Sequence, residues 1–313
     1  MAEVAYKTRK QDLGIYYTPE PVVAFVFDIL NVLKKKQDEE SARWESHEPN
    51  PHYPSVIDPA VGEGIFLKMA IESGFTKPRY VFGVDIDEHV VEQWERINLL
   101  KSFGSRADLE NHFFNQDGLR PLNHDRILPY KRGGLKEFDA VVGNPPYGGC
   151  GLAGLNLKGE PAAYYGSFEL VQRKYANSNN NLALGDFRKP VPAEKLTRYP
   201  IELLFIERFI QLAKPGGWIA IIIPDGILAN SSLQYVREFI VDRAKVLAIV
   251  SLPRETFKQV GTNAKTSILF LRKYRKGDDR GLDYRVFLAS ISKLDEQGFD
   301  LLTESFEEFH YDG

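Results

Sequence analysis

The fold prediction starts from residues 56–66, which read VIDPAVGEGIF. Residues 55–57 form a short apolar strand that Asp58 and Pro59 end, and a turn with two glycines leads into a helix over residues 66–73. Glycine lets a backbone approach a ligand closely, and open α/β sheets bind ligands beyond the carboxyl ends of their strands. The stretch therefore predicts a ligand-binding turn, with an ordinary strand-to-helix turn as the alternative.

Strands and helices alternate on both sides of this turn. The strands are apolar throughout rather than at every second residue, which indicates a parallel sheet buried on both faces. The last two strands are joined without an intervening helix, which favours a hairpin and one antiparallel strand near an edge. The prediction is an α/β fold with a Rossmann-like, seven-stranded, mostly parallel sheet and helices on both faces. The predicted strands are residues 55–57, 80–84, 112–115, 138–142, 218–223, 246–252 and 267–271, and the predicted helices are residues 20–36, 66–73, 89–103, 201–213 and 233–242.

Composition places the chain among globular proteins, since 313 residues with 43% hydrophobic content can bury a sizeable core. A single cysteine, Cys150, excludes an internal disulfide framework and a cysteine zinc cluster, and the six histidines show no metal-ligand spacing. No apolar run approaches the roughly 18 residues of a membrane span, and the first residues lack a secretory apolar segment. We expect a cytoplasmic protein without a metal or a membrane partner. The net charge of −3 argues against a protein that binds nucleic acid through a positive overall charge.

Acidic residues follow the next two predicted strands. Asp85, with Ile86 behind it, directly ends the apolar run of the second strand, where a carboxylate can accept hydrogen bonds from ribose hydroxyls. Asp117 and Gly118 follow the third strand, where a carboxylate can accept a hydrogen from an adenine amino group. Taken alone, the second pair indicates a simple turn.

The fourth segment, residues 141–147, reads VVGNPPY and also follows a strand. Two prolines after Asn144 restrict the backbone strongly, so that the Asn144 amide oxygen and the Pro145 carbonyl can point at one place. Tyr147 adds an aromatic ring. All four segments follow strands, and we expect them to meet at one edge of the sheet.

The order of these motifs resembles that of amino-group DNA methyltransferases, which use S-adenosylmethionine. Residues 144–147 (NPPY) are similar to the family's motif for methylating an amino nitrogen, and residues 17–19 (YTP) resemble its segment near the methionine end of the cofactor. The chain is most like the modification subunits of type I restriction–modification systems and related fused restriction–modification enzymes. The resemblance implies a class I S-adenosylmethionine-dependent methyltransferase domain over residues 14–273.

The same resemblance implies methyl transfer from S-adenosylmethionine to the N6 amino group of an adenine flipped out of double-stranded DNA. Asn144 and the Pro145 carbonyl would hold the two amino hydrogens, and Tyr147 would stack on the base. The family usually supplies a second ring; Phe257 and Phe287 are candidates, the sequence does not choose between them, and both are more typical of core or hairpin residues. The resemblance assigns Tyr17, Thr18, Asp58, Ala60, Gly62, Gly64, Asp85, Ile86, Asp117 and Gly118 to the cofactor, and Asn144, Pro145, Pro146 and Tyr147 to catalysis.

Two segments depart from the regular alternation. Residues 148–198 have few apolar runs and are predicted to be an irregular insertion that covers the base pocket or contacts DNA. Residues 274–313 form a C-terminal extension that is too short for a target-recognition domain. The expected partner is therefore a separate specificity subunit, or a recognition domain missing from this chain.

Two alternatives stay open at this point. A protein glutamine-amide methyltransferase also uses NPPY, because an amide nitrogen poses the same chemical problem. A cofactor-binding subunit without catalytic activity would keep the same turn and strand ends. The YTP segment and the late stretch of residues 252–273 favour the DNA enzyme over the first alternative.

Overall fold

An eight-stranded sheet forms the centre of the protein. The structure is a computed structural model that describes residues 17–42, 53–122, 137–147, 152, 160–176, 191–260 and 264–311. The strands are β1 (Val56–Asp58), β2 (Val81–Asp85), β3 (Phe113–Asn115), β4 (Phe138–Gly143), β5 (Ala213–Pro224), β6 (Ala244–Ser251), β7 (Thr266–Lys273) and β8 (Phe287–Ser290). They lie in the order β3-β2-β1-β4-β5-β7-β6-β8.

The predicted helices are present, and several further helices lie between the strands. The helix predicted over residues 89–103 is divided at Asn98, whose positive φ of 62° interrupts it. The helices are α1 (Glu20–Ala42), α2 (Ile65–Glu72), α3 (Val90–Arg96), α4 (Arg106–Glu110), α5 (Glu160–Gly166), α6 (Glu169–Ala176), α7 (Ala193–Leu196), α8 (Ile201–Leu212), α9 (Gly226–Ala229), α10 (Gln234–Arg243) and α11 (Glu296–Tyr311). Short 3-10 helices cover Pro78–Tyr80, Leu99–Ser102, Ser231–Leu233 and Arg254–Val260.

Strand directions confirm the mostly parallel prediction. Strands β1 to β5 pair in parallel with one another, and β7 pairs antiparallel with both β5 and β6. The expected hairpin between the last two predicted strands is therefore the β6–β7 pair. Strand β7 lies between β5 and β6 and runs opposite to both, so β5 and β6 share the direction of the parallel strands.

The sheet has one strand more than the seven predicted. Strand β8 pairs in parallel with β6, from Ala248 opposite Phe287 to Ser251 opposite Ser290. It is short, and Leu288 in it is 71% exposed, so its pattern lacks the continuous apolar run that identifies the inner strands. Residues 274–313, the predicted extension, thus contribute a strand to the same sheet.

Helices cover both faces of the sheet. Alternate strand residues point to opposite faces, so Val56 belongs to one apolar cluster and Ile57 to the other. Helices α1, α2, α3 and α11 pack on the first face, and α5, α6, α8 and α10 pack on the second. Helix α11 also meets α1, where Lys35 Nζ lies 2.9 Å from Glu307 Oε1. No helix in the described part of the chain is long and apolar enough to cross a membrane.

The described residues of the predicted insertion are helical rather than irregular. They form α5, α6 and α7, and Tyr165, Phe168 and Leu170 are buried in the core of the second face. The N-terminus of α6 is capped by Glu207 of α8, whose carboxylate oxygens accept the amides of Glu169 and Leu170 at 2.9 Å each. Packing against a distant helix stabilises this region, which is why its local sequence does not reveal it. Residues 148–151, 153–159 and 177–190 of the insertion, and residues 14–16 of the predicted domain, lie outside the described part of the chain.

Candidate active site

The four segments singled out in the sequence lie along one edge of the sheet. They follow β1, β2, β3 and β4, which are parallel and contiguous in the strand order. The carboxyl ends of parallel strands meet at the same edge, so the predicted juxtaposition of these segments is confirmed.

Asp85 holds the glycine turn that follows β1. Its Oδ2 accepts the Gly62 amide at 2.9 Å, and its Oδ1 accepts the Asp87 amide at 2.9 Å. Burial raises the pKa of Asp85 above its ordinary value. Each carboxylate oxygen can accept more than one hydrogen bond, so this fixed carboxylate can also take hydroxyl groups of a ligand. Ile86, the next residue, is 60% exposed at the same edge.

Both glycines of the turn adopt conformations that other residues rarely take. Gly62 has φ +46° and Gly64 has φ +79°, both in the left-handed region. A Cβ on Gly64 would lie 2.8 Å from Nε1 of Trp94, which donates to the Gly62 carbonyl at 3.0 Å. A Cβ on Gly62, in contrast, would meet no described atom within 4 Å, so the turn opens into space there.

Asp58 lies beneath the fourth segment. It is 1% exposed, and its Oδ1 accepts the Ala60 amide at 2.9 Å. A Cβ on Gly143 would lie 2.5 Å from the same oxygen, so Gly143 is required for this close approach. Burial raises the pKa of Asp58 to about 8, and the charge of Asp85 adds to the increase. Burial therefore favours the protonated form of the Asp58 carboxyl.

The NPPY segment contacts the YTP segment. Asn144 Nδ2 donates to Thr18 Oγ1 at 3.1 Å, and Thr18 is 3% exposed. Tyr17 next to it is half-exposed, and Pro145 is buried while Pro146 is partly buried. The structure thus joins two motifs 126 residues apart in the sequence.

Phe257 is the candidate second aromatic ring that reaches this site. Its ring lies edge-to-face with that of Tyr147, with 6.4 Å between centroids and an interplanar angle of 84°. Phe287 lies on β8 instead, where it packs against Phe306 and Phe309 of α11. Of the two candidates, Phe257 lies beside Tyr147 and Phe287 lies on the last strand of the sheet, and a role of either ring toward a base stays a prediction.

Asp117 and Gly118 join the glycine turn to the second face of the sheet. Asp117 Oδ1 accepts the Leu119 amide at 2.9 Å, and its Oδ2 accepts the hydroxyl of Tyr165. A Cβ on Gly118 would lie 1.8 Å from the Pro59 carbonyl oxygen, so only glycine fits this contact.

Sequence reasoning missed three side chains that support the site. Trp94 donates a hydrogen bond to the Gly62 carbonyl of the glycine turn, and the Tyr165 hydroxyl donates one to Asp117. Arg208 donates through Nε to the Gly118 carbonyl at 3.0 Å. A signal was present for Arg208, because Glu207 and Arg208 interrupt the apolar run of residues 203–210 (LLFIERFI). Buried charges require partners, so such a pair indicates a defined contact. Among the described residues, no group of acidic, histidine or cysteine side chains could hold a metal ion.

A family model decides the assignment of the chain. The model for N-6 DNA methylases matches residues 1–299. The chain belongs to this family. The resemblance drawn from NPPY and from the order of motifs is therefore confirmed.

Individual relatives of the chain are distant. It is 24% identical over 264 residues to the methylase subunit of the type I restriction enzyme EcoEI from Escherichia coli, covering 83% of this chain and 42% of that one. It is 25% identical over 201 residues to the uncharacterized protein YtxK of Bacillus subtilis, covering 64% of this chain and 46% of the relative. The chain spans less than half the length of these curated relatives.

Solved structures show the same fold. A putative class I S-adenosylmethionine-dependent methyltransferase from Listeria monocytogenes has a TM-score of 0.58 at 22% identity, covering 93% of this chain and 70% of that one. A modification subunit of a putative type I restriction enzyme from Vibrio vulnificus has a TM-score of 0.54 at 17% identity, covering 98% of this chain and 56% of that one. The methyltransferase fold expected from the sequence is confirmed by this likeness.

Proposed function

We propose that this chain transfers the methyl group of S-adenosylmethionine to the N6 amino group of an adenine in double-stranded DNA, as the modification component of a restriction–modification system. Family membership supports the reaction class. The observation that carries the proposal is the contact of Asn144 with Thr18, which joins NPPY to the YTP segment.

The bond to Thr18 determines which end of the Asn144 amide faces a substrate. Because Nδ2 donates to Thr18, Oδ1 is the end that can accept a hydrogen from an amino group. The Pro145 carbonyl is a second acceptor in the same segment. The lone pair of an adenine amino group is delocalised into the ring, which makes the nitrogen a poor nucleophile. Two acceptors that hold its hydrogens favour a tetrahedral nitrogen with its lone pair directed at the methyl group.

The residues along the sheet edge fit S-adenosylmethionine. When bound, this cofactor supplies an electrophilic methyl group on a sulfonium. The turn opens into space above Gly62, and Asp85 presents a fixed carboxylate suited to ribose hydroxyls. Asp117 would accept the adenine amino group, and Thr18 and Asp58 would lie near the methionine end. Proximity and oriented acceptors then account for the rate, without a strong general base.

Tyr147 and Phe257 suit the target base. A base paired inside a duplex cannot present its amino group, so the adenine must leave the helix. The two rings meet edge-to-face, but Tyr147 is 1% exposed and Phe257 is 0% exposed, so a base can stack on them only after this part of the site opens, a contact worth about 1–3 kcal/mol. Recognition of the DNA sequence is assigned to a partner, either a specificity subunit or a recognition domain outside residues 1–313.

The test is transfer of labelled methyl from S-adenosylmethionine to unmethylated DNA, with N6-methyladenine identified by mass spectrometry. Asn144→Ala should abolish transfer while the affinity for S-adenosylhomocysteine stays within about twofold, because Asn144 acts on the substrate. Asn111→Ala, at an exposed asparagine beyond the opposite ends of the strands, is the matched control and should leave both unchanged.

Two results would contradict the proposal. Methyl groups found on protein glutamine rather than on DNA would identify the amide methyltransferase. Cofactor binding without transfer to any acceptor, in the presence of a specificity subunit encoded beside this chain, would identify a non-catalytic subunit.

A further inference from the structure

The loop of residues 117–120 is held by side chains that neither the motifs nor the family model assign. Two of them are neighbouring tyrosines of α5, in the segment predicted to be an insertion. The Tyr165 hydroxyl donates to Asp117 Oδ2, and the Tyr164 hydroxyl donates to the Leu119 carbonyl at 2.7 Å. Tyr165 is 3% exposed, so its hydroxyl is committed to this contact rather than to solvent.

Helix α8 holds the same loop from another direction. Arg208 donates through Nε to the Gly118 carbonyl at 3.0 Å and through a terminal nitrogen to the Arg120 carbonyl at 2.6 Å. With the bond from Tyr164, the carbonyls of residues 118, 119 and 120 all accept side-chain hydrogen bonds. The guanidinium of Arg120 in turn lies 5.8 Å from the centre of the Tyr165 ring. The loop is therefore fixed before any ligand arrives.

Asp117 is the one side chain of this loop with a proposed ligand contact. Its Oδ1 is oriented by the Leu119 amide, a local bond that any turn of this kind makes. Its Oδ2 is oriented only by Tyr165 among the described residues. Burial and the hydrogen bond to Asp117 raise the pKa of Tyr165, so the phenol remains a proton donor across the physiological range.

We infer that Tyr165 is a positioning residue for the cofactor, because its hydroxyl holds the Asp117 carboxylate in the orientation that accepts the amino group of an adenine. This inference rests on the proposed function only in taking Asp117 as the adenine acceptor. It also gives the segment after NPPY a role on the cofactor side of the site, beside the predicted role on the DNA side.

The first measurement is the affinity for S-adenosylhomocysteine by titration calorimetry. Tyr165→Phe removes the hydroxyl and keeps the buried ring, so the dissociation constant should rise by about tenfold, as for loss of a hydrogen bond to a charged group. Tyr199→Phe is the matched control. Its hydroxyl is also buried in the core of the second face, but it lies 3.2 Å from the hydroxyl of Tyr235 and away from the loop.

A second ligand separates positioning from general stability. S-inosylhomocysteine replaces the adenine amino group with a carbonyl. A carbonyl has no hydrogen to donate, so it cannot form the hydrogen bond that the amino group forms with a carboxylate. The wild-type protein should bind the adenosyl compound more tightly than the inosyl compound, and Tyr165→Phe should reduce this ratio by about the factor lost in affinity. At saturating S-adenosylmethionine, kcat should stay within about twofold, while the KM for the cofactor rises.

The outcomes distinguish the inference from the proposed function. Unchanged affinity and unchanged ratio in Tyr165→Phe, or equal losses in Tyr199→Phe, would overturn the positioning role. Tight cofactor binding by the wild-type protein without methylation of DNA would overturn the proposed substrate and leave the role of Tyr165 standing. A wild-type protein that binds neither compound would overturn both.

Discussion

Asp58→Asn should change how the stability of this protein depends on pH. Burial raises the pKa of the Asp58 carboxyl to about 8, from an ordinary value of 3.8. The folded state therefore favours the protonated form. The stability that this form contributes is complete below pH 3.8, and it is lost as the pH rises through the folded pKa, because the unfolded chain ionises first.

The size of the effect follows from the two pKa values. Between them, each pH unit removes about 1.4 kcal/mol from the free energy of unfolding, so Asp58 removes about 2.7 kcal/mol between pH 5 and pH 7. Asparagine has the shape of the protonated acid, and its oxygen can keep the bond from the Ala60 amide. Asp58→Asn should therefore be more stable relative to wild type at pH 7 than at pH 5, by about 2.7 kcal/mol.

The assay is urea unfolding of both proteins at pH 5, 6 and 7 without cofactor. Asp139→Asn is the control on the neighbouring strand. Burial alone would raise the pKa of Asp139, but hydrogen bonds from Lys214 and Ser55 lower it, so this variant should lose the same stability at each pH. A constant difference between Asp58→Asn and wild type from pH 5 to pH 7 would refute the assigned protonation of Asp58.

Two further substitutions test the packing of the site. Gly118→Ala should weaken S-adenosylhomocysteine binding by more than about tenfold, because its Cβ would lie 1.8 Å from the Pro59 carbonyl oxygen and the loop must move. Gly226→Ala, where a Cβ meets no described atom within 4 Å, is the calorimetric control, and equal effects would argue against the contact. Phe257→Ala should lower the rate of methyl transfer with little change in cofactor affinity, whereas Phe287→Ala should lower only the melting temperature. If both variants lose methyl transfer to the same extent, reduced stability and not a lost contact with the base explains the effect of Phe257→Ala.

The position of the site could be predicted because it depends on local patterns. Asp85 directly ends an apolar run, and NPPY directly ends another, so both were expected at the carboxyl edge of a parallel sheet. The structure confirms that edge, and it adds a hydrogen bond from the Gly62 amide to Asp85 that the sequence did not predict. The individual roles of these residues toward a cofactor and a base stay predictions.

Contacts between distant segments could not be predicted from the same patterns. The residues around Phe257 and Phe287 do not show which ring lies near Tyr147, because the tertiary fold places one beside Tyr147 and the other at the edge of the sheet. The sequence predicts an irregular segment where α5 lies. The helix was missed because packing of Tyr165 stabilises it, whereas its own helix propensity does not. Strand β8 was missed because it is short and half-exposed.

Two adjacent residues of α8 connect parts of the molecule that the chain keeps far apart. Glu207 binds the first turn of α6, and Arg208 binds the loop that carries Asp117. One helix thus fixes the position of the insertion relative to the loop that carries Asp117. Thermodynamic reciprocity then applies: if a partner that binds α5 and α6 changes the affinity for the cofactor by some factor, the cofactor changes the affinity for that partner by the same factor.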